Sequence, residues 1–273
     1  MSKARKKPLV SIITASLNSE KTIEQTIQSV LNQTYKNIQY IIIDGLSTDR
    51  TNDVVAKYRK EIDIHISEKD NGLYHAFNKG ISLAKGEIIG ILNSDDFYDT
   101  NSIDKVVSAY ETYGDKKIYF GNMGLIDEKS NLTGTRIINH NSYFFMRSGQ
   151  SIPHPTVFVP KKIYSKFGVF DTSYKIAADY DLLLRYLFVN KIKYIYIEST
   201  LTFFRVGGVS SNFFPLAFEN YKIKVNNNFS KIVSALYLLK SILFHVFSLT
   251  LKKIGLLVLV NFYREKIIKS HKY

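Results

Sequence analysis

The chain has 273 residues, 45% of them hydrophobic, with no cysteine, no tryptophan and a formal net charge of +13. That length admits one large α/β domain with an appendage, or two small domains; the lack of thiols excludes disulfides, thiolate-held zinc or iron–sulfur centres and a cysteine nucleophile. Residues 1–9 carry four basic and no acidic groups, residues 213–273 carry ten basic and two acidic, and the stretch between is nearly balanced, so the excess belongs to the two ends and argues against a nucleic-acid groove across the middle.

The basic start precedes only Leu9-Val10-Ser11-Ile12-Ile13, too short for a secretory signal and better read as a first strand. Strands at 9–15, 38–43, 62–67 and 87–92 alternate with helices at 20–32, 51–60, 73–84 and 102–113, the pattern of a parallel sheet with crossover helices. In the first helix Ile23, Ile27, Val30 and Leu31 fall on one face, and Gly86 closes the third. Shorter, partly antiparallel strands are expected at 118–121 and 156–159, with a hairpin around 127–131, a helix at 178–190 and a strand at 194–197. This mixed second half is where an acceptor is expected.

From residue 213 the composition shifts. Residues 232–263 are rich in Leu, Ile, Val and Phe, yet Lys240, His245, Lys252 and Lys253 interrupt them, and no run reaches the ~18 uninterrupted apolar residues of a spanning helix. The segment reads as basic amphipathic helices in a membrane interface, or as a helical pair packed on the main domain or on a second subunit.

The chemistry concentrates where strands end. Thr14–Asn18 follow the first strand, Asp44-Gly45-Leu46-Ser47-Thr48-Asp49 the second, Glu68-Lys69-Asp70-Asn71-Gly72 the third and Asn93-Ser94-Asp95-Asp96 the fourth. In a parallel sheet all four line one edge, where α/β proteins bind ligands. The adjacent Asp95 and Asp96 suit a hard divalent cation, Mg²⁺ or Mn²⁺, which needs few protein carboxylates when a diphosphate supplies further oxygens; a polar turn capping the helix from Ser102 is the other reading. No glycine-rich phosphate loop occurs at these turns, so metal rather than backbone amides is expected to carry a diphosphate.

Pro8–Thr14, Asn18, Ser29–Tyr35, Ile43–Asp49 and Asn93–Asp96, in this order and spacing, resemble the N-terminal half of glycosyltransferase family 2, the GT-A fold, and the likeness runs through Gly208. It implies a mixed, mainly parallel α/β sheet flanked by helices over residues 1–212, with 213–273 as a helical tail. It implies an inverting, metal-dependent transfer of one hexose or N-acetylhexosamine from a nucleotide-sugar donor. Thr14 and Asp44 would then meet the base, Asp95 the ribose and Asp96 the metal. Asp70, Asn78 and Lys79 are further donor contacts, and Arg205 is a cationic partner of the diphosphate or part of a loop leaving the domain. Asp179, in Ala177–Arg185, matches the family's catalytic base; without that match it is a favourable acid in a first helical turn. Asp181 lies about 200° further round the helix. His154 is a candidate for the acceptor side or for a metal, or a structural histidine, and His75 is open in the same way.

Two departures stand out: Gly45 occupies the place of a second acid in many relatives, and Ala178 that of a Glu before the base. They leave a catalytically inactive binding or scaffold protein on the same fold as the alternative. A processive synthase is disfavoured because the chain lacks tryptophan and hence the Gln-x-x-Arg-Trp motif. The expected setting is the cytoplasm, peripheral at the inner face of the membrane, with a glycan or lipid-linked acceptor and no nucleic-acid partner.

Overall fold

The computed structural model describes residues 7–138, 146, 149, 152–206 and 213–253. In chain order the elements are β1 (Val10–Ser16), α1 (Ile23–Leu31), β2 (Ile38–Asp44), α2 (Thr51–Ala56), β3 (Ile64–Ser67), α3 (Leu73–Leu83), β4 (Ile88–Asn93), β5 (Phe97–Tyr98), α4 (Ser102–Tyr113), β6 (Lys117–Ile126) and β7 (Leu132–Arg136). Then follow β8 (Phe158–Pro160), α5 (Lys161–Phe167), α6 (Ala178–Leu184) with a π turn over Arg185–Val189, β9 (Lys193–Arg205), α7 (Phe213–Asn226) and α8 (Lys231–Lys253).

The strands form one nine-stranded sheet in the order β3-β2-β1-β4-β8-β6-β9-β5, with β7 paired to β6. β3, β2, β1 and β4 run parallel, in a register that sets Ser16 beside Asp44, Asp44 beside Ser67 and Ala15 beside Asn93. β8 pairs antiparallel with both β4 and β6. Apolar side chains alternate to the two faces of this sheet. Ile13, Ile41, Ile89 and Ile91 meet Phe77, Ile81 and Leu183 of α3 and α6, while Ile12, Ile42 and Ile88 meet Ile27, Val55 and Val106 of α1, α2 and α4. α3 lies so close to β1 that a Cβ on Gly80 would stand 2.3 Å from Ile13 Cγ2.

The second half differs from expectation in extent. β6 and β9 form a long parallel pair from Lys117↔Lys193 to Ile126↔Arg205, where only short strands are legible, because Gly121, Asn122 and Gly124 break the apolar run. α8 differs too. Lys231–Leu251, with a mean hydropathy of 1.8, is long and apolar enough to cross a membrane by length and composition, since Lys231 at its start and Lys240 are its two charges.

The tail is fastened to the domain through α7. Its Glu219 carboxylate accepts the backbone N–H groups of Lys175 (2.8 Å), Ile176 (2.9 Å) and Ala177 (2.9 Å). Asn227 donates to Asp181 (2.9 Å) and Asn226 to the Tyr174 hydroxyl (2.8 Å). Residues 207–212, which include the expected boundary between domain and tail, lie outside the described residues, as do 254–273.

Candidate active site

At the carboxyl edge of the parallel strands, β1 and β2 hand over to two turns tied together by Asn18. Its backbone N–H donates to Ser47 Oγ (2.8 Å) and its side-chain carbonyl accepts the Thr48 N–H (2.9 Å). Asn18 and Leu46 both take left-handed backbone conformations, φ 51° and 65°. That is unfavourable for a leucine, and such strain is characteristic of functional turns.

Asp44 is fully buried and organises its turn. One carboxylate oxygen accepts Ser16 Oγ (3.0 Å) and Ser47 Oγ (2.5 Å); the other accepts the Ser47 N–H (2.9 Å), Asn52 Nδ2 (3.0 Å) and Ser67 Oγ (2.6 Å). Burial favours the neutral acid, but the bonds from Ser47, Ser67 and Asn52 outweigh it and hold the carboxyl below the usual range. Thr14 is also buried, its hydroxyl paired with Tyr40 (3.2 Å). Thr14 and Asp44 are thus placed under the crevice floor, both engaged.

Asp70 lies over Gly45: a Cβ at that glycine would stand 2.9 Å from Asp70 Oδ2, while Oδ1 accepts the Gly72 N–H (2.8 Å). A carboxylate of the β3–α3 loop therefore stands directly against Gly45. Leu17 and Leu46, more than half exposed, give this corner an apolar rim that the motif reading missed.

Asp95 and Asp96 follow β4. Asp96 is fully buried, with Oδ1 accepting the Arg205 backbone N–H (3.0 Å) and Oδ2 accepting Asn93 Nδ2 (2.9 Å). Burial, and then the neighbouring Asp95 charge, push its carboxyl well above the usual range; burial also raises Asp95. Two adjacent carboxyls that resist ionising are a donor set that a divalent cation would stabilise in the charged form. Among the described residues no cluster of three or more His, Asp or Glu could hold a metal. The pair therefore fits a cation that draws its remaining oxygens from a diphosphate and water.

Asp179, half-buried in the first turn of α6, is reached from the same edge through α3. The Tyr74 hydroxyl is shared between the Ile176 carbonyl (2.7 Å) and Asp179 Oδ1 (3.2 Å), and the Tyr180 N–H also donates to Oδ1 (2.9 Å). Asp181 is buried and paired with Arg185 (2.7 Å).

Three expected donor contacts are directed elsewhere. Arg205 gives all its side-chain N–H groups to protein: to the Asp95, Asp127 and Glu128 carbonyls and to Gln25 and Ser130 side chains, at 2.7–3.3 Å. It therefore locks the β6–β7 turn against the acids. Asn78 makes a reciprocal pair with the Phe170 backbone (2.9 and 3.1 Å), and Lys79 is ion-paired with Glu68. His154 is a buried ring packed against Phe77 and Phe170, its pKa lowered by burial; His75 is exposed on α3. A cavity of about 440 Å³ lined by Lys85, Tyr110, Lys161 and Lys166 opens at the other end of β4, away from the acids.

Parallel strands ending in an acid-lined crevice, continued by a mixed sheet, define an α/β fold with its ligand edge at the carboxyl ends of the strands. Residues 11–171, more than half of the chain, match Glycosyl transferase family 2, and the chain belongs to that family. An uncharacterized glycosyltransferase of Rickettsia typhi is 30% identical over 203 residues, 68% of this chain and 60% of that protein, so the match spans less than two thirds of that relative. The Escherichia coli UDP-Glc:alpha-D-GlcNAc-diphosphoundecaprenol beta-1,3-glucosyltransferase WfaP is 40% identical over 124 residues, 44% of this chain and 47% of WfaP. Among solved structures, S. aureus TarS with UDP-GlcNAc aligns at TM-score 0.64 and 16% identity over 86% of this chain and 71% of TarS. The Pyrobaculum calidifontis mannosyltransferase PcManGT with GDP-Man and Mn²⁺ aligns at TM-score 0.62 and 15% identity over 86% and 70%. At these identities the structural likeness establishes the fold: a mixed α/β sheet with flanking helices and a C-terminal helix.

Proposed function

We propose that this chain is an inverting glycosyltransferase that moves one hexose or N-acetylhexosamine from a nucleoside-diphosphate sugar to a lipid-linked acceptor of a growing surface glycan, at the cytoplasmic face of the membrane. The observation that carries the reading is the pair of half-buried Asp95 and fully buried Asp96 at the end of β4, in a crevice without a glycine-rich phosphate loop. The relatives' names support it. WfaP acts on a diphosphoundecaprenol-linked sugar, Bacillus subtilis TuaG is assigned to teichuronic acid biosynthesis, and PcManGT was crystallised with Mn²⁺.

In this reading the base rests on the Leu17–Leu46 rim and the turn held by Asp44, with Asp70 beside it and Asp95 toward the ribose. Asp96 would hold a Mg²⁺ or Mn²⁺ ion, which would supply neutralising charge to the diphosphate. Asp179 accepts the acceptor hydroxyl's proton as that oxygen bonds to the anomeric carbon and the carbon–diphosphate bond breaks on the opposite face. Tyr74 and the Tyr180 amide, both on Oδ1, orient the carboxylate for this.

The test is incubation of the full chain with UDP-, GDP- and dTDP-sugars, Mn²⁺ and a polyprenyl-diphosphate-linked sugar. Nucleoside diphosphate release and the product's anomeric configuration by NMR are the readouts. Transfer with inversion is the expected outcome. Retention of configuration refutes the mechanism, and donor binding without any turnover favours the inactive binding protein instead.

A further inference from the structure

The polarity of α8 is inside out. At about 100° per residue, Ser234, Tyr237, Ser241, His245 and Ser248 share one side of the helix; Ser234 and Ser248 are 1% and 6% exposed. Ile232, Leu236, Leu239, Leu243 and Val246 share the opposite side, with Ile232 74%, Leu236 60% and Leu243 61% exposed. A helix of a water-soluble domain buries its apolar stripe and shows its polar one; here the polar stripe meets α7 and the apolar one faces outward. An exposed apolar surface this continuous marks an interaction site.

We propose that the outward face of α8 seats the protein on an anionic lipid bilayer, the helix lying in the membrane plane rather than crossing it. The inference deepens the membrane-face location proposed above and rests on it. Pairing with α7 sets the orientation. Phe213, at the start of α7, stacks on His245 (3.9 Å), and Lys224, near its end, lies over the Tyr237 ring (4.9 Å), so the two helices run antiparallel in contact along α7. Because Glu219 and Asn227 fasten α7 to the domain, α8 cannot cross a bilayer without drawing that domain into hydrocarbon. Charge identifies the lipid: ten basic against two acidic residues in 213–273 favour anionic headgroups. Lys240 is exposed at the margin of the apolar stripe, where its stem can lie along the stripe while its ammonium reaches the headgroups.

The absence of tryptophan from the chain makes the test clean. Full-length Ile232→Trp, Leu239→Trp and Val246→Trp variants, with Tyr113→Trp on α4 as control, are mixed with phosphatidylcholine–phosphatidylglycerol vesicles brominated at a shallow or a deep acyl position. The expected result is quenching of all three α8 probes with the same shallow preference, none of Tyr113→Trp, and at least tenfold weaker vesicle partitioning of Leu239→Asp/Leu243→Asp. Deep quenching at Leu239 with shallow quenching at Ile232 and Val246 means a crossing helix and overturns the in-plane geometry. No quenching, with a sedimenting dimer that Leu239→Asp/Leu243→Asp dissociates, assigns the face to a second copy and overturns the lipid seat. Nucleoside-diphosphate affinity, measured on the same proteins in solution, separates the two readings: failure to bind vesicles with donor affinity intact refutes only the seat.

Discussion

Glu219 joins the tail to the segment that presents Asp179, and its removal reads that coupling directly. Its carboxylate accepts three backbone N–H groups, from Lys175, Ile176 and Ala177, just before α6, where negative charge also favours the helix dipole. A hydrogen bond to a charged group contributes about 1.5–3 kcal/mol. Three bonds sharing one half-exposed carboxylate, with Lys175 facing solvent, give roughly 3 kcal/mol in total. For a domain of this size that is a fall in melting temperature of about 6–12 °C in Glu219→Ala. Glu219→Gln keeps one acceptor oxygen for Ile176 and Ala177 but turns an amide donor toward the Lys175 N–H, so an intermediate fall is expected. With the start of α6 loosened, turnover should drop more than the Michaelis constant for donor rises, because the proposed function places the donor at the β1–β4 edge. A Glu219→Ala protein that melts with wild type and turns over normally refutes the clamp.

Asp179→Asn keeps the bonds to Tyr74 and Tyr180 but cannot take a proton, so transfer should fall about 10²–10⁴-fold with donor affinity unchanged; an active Asp179→Asn moves the base elsewhere. Asp181→Asn, which breaks the buried pair with Arg185, should instead lower stability by about 1.5–3 kcal/mol and leave turnover per folded molecule intact, which melting and initial rates together check. Burial brings the Lys224 pKa down to about 8, so between that pH and its unfolded value the unfolded chain binds more protons and stability rises with pH. Lys224→Met should therefore be the more stable protein at pH 7, with an advantage that shrinks toward pH 10 in urea titrations. Gly80→Ala drives a methyl into Ile13 and should cost about 1–3 kcal/mol by overpacking.

Much of this was legible in the sequence wherever the signal is local. An apolar run ending in two acids fixes β4 and its edge, and alternation with helical segments yields the parallel half. What was not legible depends on partners far along the chain. Asp96, expected at an open edge, is sealed by the amide of Arg205, 109 residues on, and the Arg205 guanidinium is used up in a turn whose conformation no periodicity encodes. Asn78 and Lys79 sit in a familiar stretch, yet one bonds to a backbone 92 residues away and the other to a neighbouring glutamate. The apolar content of the tail was evident, but not that α8 turns its polar residues inward on α7.

The central claim is that Asp95 and Asp96 bind a nucleoside diphosphate through a divalent cation, and calorimetric titration of UDP and GDP tests it most directly. Asp96→Asn is the suitable variant, because it preserves an acceptor for the Arg205 amide at a buried position. The account predicts that wild type binds at least one of the two with Mn²⁺ or Mg²⁺, and that EDTA and Asp96→Asn each weaken binding at least tenfold without lowering the melting temperature by more than about 4 °C. Equal affinity in wild type with Mn²⁺, wild type with EDTA, and Asp96→Asn would contradict it.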